Sequence, residues 1–200
     1  MNDIVAALPS WLPLAVAAMI VLILLLVLLL ARRSGSVQGR LRKALERVSY
    51  DTMSGIVVPK ADEGEIQIDL VLLTEHGILV LDYKDVAGVV FGSDRMQDWT
   101  VINGDRRFTF ANPQHALLDR VAAVRQVVRD VPVDGQVLFG DSADFTKGTP
   151  QHVASLKALL EHYPKVNRKR PPEAVLAFRA AWERLRAEAL DTQAGRLFKA

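Results

Sequence analysis

The chain has 200 residues, with 25 Lys and Arg against 23 Asp and Glu, a net charge of +2, and half of its residues are hydrophobic. It contains no cysteine, which excludes disulfide staples and thiolate-ligated metal sites. So small a positive excess also excludes identifying a nucleic-acid binder from charge alone.

Taken in order, the first feature is a segment, residues 4–31, without a charged side chain. Crossing a hydrocarbon core takes about 20 apolar residues, the length of Trp11–Leu30. Pro9 and Pro13 stand at its start, where a missing N–H costs little, and Trp11 stands where an interfacial ring is expected. A cleaved signal peptide is the competing reading. It needs a basic leader, a shorter apolar run and a small-x-small cleavage site, whereas here Asp3 is the first charge and Ala31-Arg32-Arg33 follows the run. Arg32, Arg33, Arg40, Arg42 and Lys43 precede Glu46, and no basic residue precedes Arg32. The positive-inside bias therefore predicts a single-pass protein of a bacterial inner membrane, with the N-terminus outside and the remainder cytoplasmic. The basic flank suits anionic lipid head groups.

About 165 residues remain beyond the anchor, enough for one ordinary core. Ser34-Gly35-Ser36 reads as a flexible joint, and Val37, Leu41, Ala44, Leu45 and Val48 recur at helical spacing over 37–48. Gly55–Pro59 reads as a strand. Ile66–Leu73 and Ile78–Lys84 read as two strands joined by Thr74-Glu75-His76-Gly77, apolar on both faces and so central in a covered sheet. Val86–Phe91 continues as a strand. Trp99–Ile102 and Arg106–Phe110 flank the hairpin signal Asn103-Gly104-Asp105. Pro113 opens a helix to about residue 129, with Leu117, Val121, Val124 and Val128 as its buried stripe. Gln136–Phe139 is a short strand, and Thr149-Pro150 starts a helix to about Tyr163. Residues 167–172 form a basic linker, and an amphipathic helix runs from Glu173 to about Ala189. The domain reading is an anchor over 1–33, a folded domain over 34–165, and a linker with a terminal helix over 166–200.

The two central strands carry the candidate chemistry. If Leu73 faces Ile78, Asp69 lies opposite Asp82 and Gln67 opposite Lys84, all on one face at one end of the hairpin. Facing carboxylates repel, so the arrangement needs a cation. A divalent metal with oxygen ligands supplies one, and two carboxylates plus water suit Mg²⁺. The simpler reading is that Lys84 neutralises the two aspartates as a buried ion pair, or that one carboxylate stays protonated.

Ile68-Asp69-Leu70-Val71, Gly77-Ile78-Leu79-Val80-Leu81-Asp82-Tyr83-Lys84, Gly88, Phe91-Gly92-Ser93, Trp99 and Asn112-Pro113, in this order, resemble the nuclease-related domain (NERD) family. The resemblance implies an α/β, restriction-endonuclease-like fold, with a central mixed sheet flanked by helices after the single transmembrane helix. It also implies a PD-(D/E)xK hydrolase site with Asp69 and Asp82 as ligands of Mg²⁺ or Mn²⁺, Lys84 as the lysine, and DNA or RNA as substrate. Two positions depart from that pattern. Gly39-Arg40 stands where the family has Gly-Glu, so a cation replaces the helix carboxylate. Ala116 stands where a glutamine follows Asn-Pro. Arg40 is therefore expected to contact a phosphate or pair with Asp69, and Gln67 is a further candidate nucleic-acid contact. The reading is a membrane-anchored, metal-dependent phosphodiesterase with a degraded site; the alternative is a silent module that binds nucleic acid or protein.

Trp99 reads as core rather than as a stacking platform, and Asn112 as a helix N-cap. His76, His115 and His152 are too scattered to be ligands. The Arg168-Lys169-Arg170 run reads as a solvated linker.

Overall fold

The computed structural model describes residues 12–60 and 64–199. The chain divides into two compact units, 1–43 and 44–200. The first is built on helix α1 (Leu12–Val48), whose last turn belongs to the second unit. Val16 and residues 19–26 of α1 are exposed apolar side chains. Among the described residues no helix is long and apolar enough to cross a membrane. The expected span is only partly covered by that statement, because Trp11 and several side chains up to Leu30 lie outside the described residues.

One expectation on α1 is corrected: Ser34-Gly35-Ser36 does not break it, and the helix runs unbroken from 12 to 48. Glycine inside a helix costs only about 1 kcal/mol. Once apolar turns have nucleated the helix on either side, propagation through three weak residues is cheap.

The second unit is a mixed α/β structure with a five-stranded sheet in the order β1-β2-β3-β7-β9. Its strands are β1 (Asp51–Pro59), β2 (Glu65–Thr74), β3 (Gly77–Lys84), β7 (Val133–Phe139) and β9 (Val153–Ser155). β1, β2 and β3 pair antiparallel, and β7 and β9 add parallel to β3. A second sheet, β6-β5-β4-β8, comprises β4 (Gly88–Phe91), β5 (Asp98–Asn103), β6 (Arg106–Ala111) and β8 (Ala143–Asp144). Helices α2 (Pro113–Val127), α3 (Leu156–His162) and α4 (Glu173–Lys199) complete the unit.

The central hairpin has the expected register: Leu73 pairs with Ile78 and Leu70 with Leu81. Ile68, Val71, Leu73, Ile78 and Val80 are almost wholly buried, as strands covered on both faces require. Trp99 is core, stacked on Phe139 with ring centroids 6.2 Å apart, and its indole N–H donates to the Ser93 carbonyl. Gly92 makes room for it, since a Cβ there would stand 2.3 Å from the indole.

The helix expected from Thr149-Pro150 begins later. Val153–Ser155 instead joins the sheet beside Val137–Phe139, and Ser155 caps α3 by accepting from the Ala158 N–H. The linker over 167–172 is not simply solvated. Arg168 donates to the Glu46 and Ser49 carbonyls at the end of α1, where four carbonyls lack helical partners. α4 extends past Ala189 to Lys199.

Candidate active site

α2 owes its position to local chemistry at its N-terminal end and to close packing along its middle. Asn112 is its N-cap, accepting from the Gln114 N–H, with Pro113 in the first turn, where proline costs nothing. Further along, Leu117 and Val121 press onto β7 at Gly135. A Cβ there would lie 2.5 Å from Val121 Cγ2, so only glycine lets the helix sit this low. Gln114, buried beside the N-cap, donates to Asp94 and to the Gln151 carbonyl and pins the same end.

Seated this way, α2 delivers Arg120 to the end of the central hairpin. The last pair of the β2–β3 ladder is Leu70 with Leu81, so Asp69 and Asp82 are the first residues beyond it. In the β1–β2 register Gly55 falls opposite Asp69, between the pairs Ser54–Leu70 and Ile56–Ile68, at φ 63, a left-handed conformation that suits glycine. Gln67 pairs with Val57 on β1; its side chain is exposed and its carbonyl accepts from Arg120 Nε at 2.9 Å.

Asp82 is 1% exposed and has cations on both oxygens. Lys84 Nζ lies 2.9 Å from Oδ1, and Arg120 NH1 lies 3.2 Å from Oδ2. Lys84 is thus the ion-pair partner of the buried Oδ1, and Arg120 that of Oδ2. Asp69 stands beside Asp82. Burial, and then the neighbouring Asp82 carboxylate, push the Asp69 carboxyl above its ordinary range, against the pull of Arg120 and Lys84. Two carboxylates and two cations thus meet at one end of the sheet, and their formal charges cancel.

Asp69, Asp82 and Lys84 are therefore brought together, with the Gln67 backbone at their edge. Arg40 is exposed on α1 within the first unit. The cation that the carboxylate pair demands is in part Arg120, which sequence reasoning missed. A signal was present: Arg120 falls in the apolar stripe of Leu117, Val121 and Val124, where a cation requires a buried partner. Among the described residues no group of three or more His, Cys, Asp or Glu side chains is placed to hold a metal ion.

Over 89 residues the chain is 25% identical to an uncharacterized protein of Bacillus anthracis, which is 44% of this chain and 42% of that protein. The chain thus spans less than half the length of that relative. No solved structure matches it. The family model described as nuclease-related domain matches residues 35–140, just over half of the chain. On that match the chain belongs to the nuclease-related domain family.

Proposed function

We propose that this chain is a membrane-anchored nuclease whose restriction-endonuclease-like core hydrolyses phosphodiester bonds of nucleic acid in a PD-(D/E)xK site that uses a divalent ion. The observation that carries this reading is the apposition of two carboxyl groups, Asp69 and the 1% exposed Asp82, at the sheet end that Lys84 also reaches. Two carboxyl groups held this close repel when both are ionised, and a hard cation with oxygen ligands relieves that repulsion. The residues fit such an ion. Two carboxylates with water completing the shell suit Mg²⁺ or Mn²⁺, and no third protein ligand is required.

Asp69 and Asp82 would hold the ion, which supplies Lewis-acid polarisation of the phosphoryl oxygen and a more acidic water. Lys84, partly exposed beside Asp82, offsets charge on the phosphate and orients the attacking water through its ammonium protons. Asp69 must give up its proton to act as a ligand, so ion binding releases that proton and metal affinity rises with pH. The proposed anchor is the uncharged run ending at Ala31, with exposed apolar side chains at Val16 and 19–26 in support, and the basic flank favours a cytoplasmic side for the remainder.

A second reading has its own observation. Arg120 already neutralises Asp82, which suits a catalytically silent module that binds nucleic acid or a protein partner. One assay separates the two: incubation of the full chain in detergent with labelled single- and double-stranded DNA and RNA, with Mg²⁺ or Mn²⁺. Metal-dependent cleavage that disappears in Asp82→Asn and Lys84→Met is expected. Wild type cleaving no faster than Asp82→Asn would leave the silent module.

A further inference from the structure

We propose that Arg120 is the side chain that receives the substrate's phosphodiester, and that Asp82 stores its guanidinium until a divalent ion and that phosphate enter the site together. The inference rests on the metal-site reading above.

Arg120 emerges from the buried stripe of α2, with its side chain 19% exposed. Its Nε is held by the Gln67 carbonyl at 2.9 Å and its NH1 by Asp82 Oδ2 at 3.2 Å. The second contact is long for a charge-assisted hydrogen bond, which typically measures about 2.7–2.9 Å. The contact to Asp82 is the one that an ion on the same carboxylate competes with, while the neutral Gln67 carbonyl is left to keep the stem at the site. That edge is open to solvent: the Gln67 side chain is exposed and Lys84 is about one-third exposed.

Charge dictates the rest. With Asp69 and Asp82 against Lys84 and Arg120 the site is formally neutral. A divalent ion on the same carboxylates leaves an excess of positive charge, which repels the guanidinium from Asp82. A phosphodiester brings the missing negative charge, and its oxygens accept two parallel N–H bonds from the planar fork of an arginine. Arg120 thus opposes the ion when no phosphate is present and favours it when one is. Ion and substrate then bind cooperatively, each strengthening the other by the same factor.

The test is calorimetric titration of Mn²⁺ into the full chain in detergent, in three states: alone, with a phosphorothioate oligonucleotide that resists hydrolysis, and with its uncharged methylphosphonate counterpart. Wild type is expected to bind Mn²⁺ more tightly with the phosphorothioate and not with the methylphosphonate. Arg120→Gln is expected to bind Mn²⁺ alone roughly tenfold more tightly than wild type, because one like charge is removed from a partly screened site. It should also lose the gain from phosphorothioate, and Arg120→Lys should keep the weaker affinity of wild type. The wild-type comparison needs no variant, so it decides the coupling even if Arg120→Gln does not fold. Equal Mn²⁺ affinity for wild type and Arg120→Gln would overturn the storage role and leave the metal site standing. Tightening by the methylphosphonate as well would overturn the phosphate role. Absence of Mn²⁺ binding in both proteins, with or without oligonucleotide, would overturn the metal-site reading and this inference together.

Discussion

Val121 of α2 packs onto β7 where a Cβ at Gly135 would lie 2.5 Å from its Cγ2, and this contact fixes how low α2 sits. Arg120 is the preceding residue, so the reach of its guanidinium to Asp82 and Gln67 depends on that approach. Gly135→Ala should lower stability by about 1–3 kcal/mol through overpacking, and it should lift Arg120 from Asp82. Chemical denaturation of wild type and variant measures the first effect. An unchanged midpoint would show that α2 shifts at no cost.

Asp69 offers a pH test in the absence of metal. Burial and the Asp82 carboxylate raise its folded-state value above the unfolded one, so the folded chain holds that proton more tightly. The associated stability is complete below the unfolded value and is lost as pH rises through the folded value. Asp69→Asn cannot ionise and escapes that loss. In chelator, the variant should melt above wild type at neutral pH, and the difference should shrink toward acid. A variant less stable than wild type at neutral pH would mean that Lys84 and Arg120 outweigh burial and Asp82.

Asp51 anchors the terminal helix. Its Oδ2 accepts from the buried Trp182 indole N–H at 3.0 Å and from Arg186 at 2.7 Å. Asp51→Ala leaves the indole without an acceptor, and the expected loss is about 1–3 kcal/mol. Thermal unfolding followed by tryptophan fluorescence reads it, and a loss of a few tenths or less would place the hold of α4 in its apolar contacts.

The membrane reading predicts that the chain fractionates with membranes and that a reporter active only in the periplasm stays silent when fused after Ala200. Strong periplasmic activity would reverse the orientation.

What the sequence made legible follows from periodicity. The register of Leu73 with Ile78 was readable because two apolar strands flank a short turn ending in Gly77, and one slipped residue would turn their side chains to the wrong face. Asp69 beside Asp82 followed from that register. Val153–Ser155 was not readable, because three residues carry no period and their strand conformation comes from pairing with β7. The Arg168 cap on α1 was hidden for a similar reason: it joins residues more than a hundred positions apart. Arg120 lay between these cases, visible as a charge in an apolar stripe but with no local clue to its partner.

Anomalous scattering from crystals of the chain soaked in Mn²⁺ reads out whether Asp69 and Asp82 jointly hold a divalent ion. A manganese peak bonded to both carboxylates is expected in wild type, and none in Asp82→Asn. A wild-type site with no peak, and with Arg120 still on Asp82 Oδ2, would contradict the shared metal site.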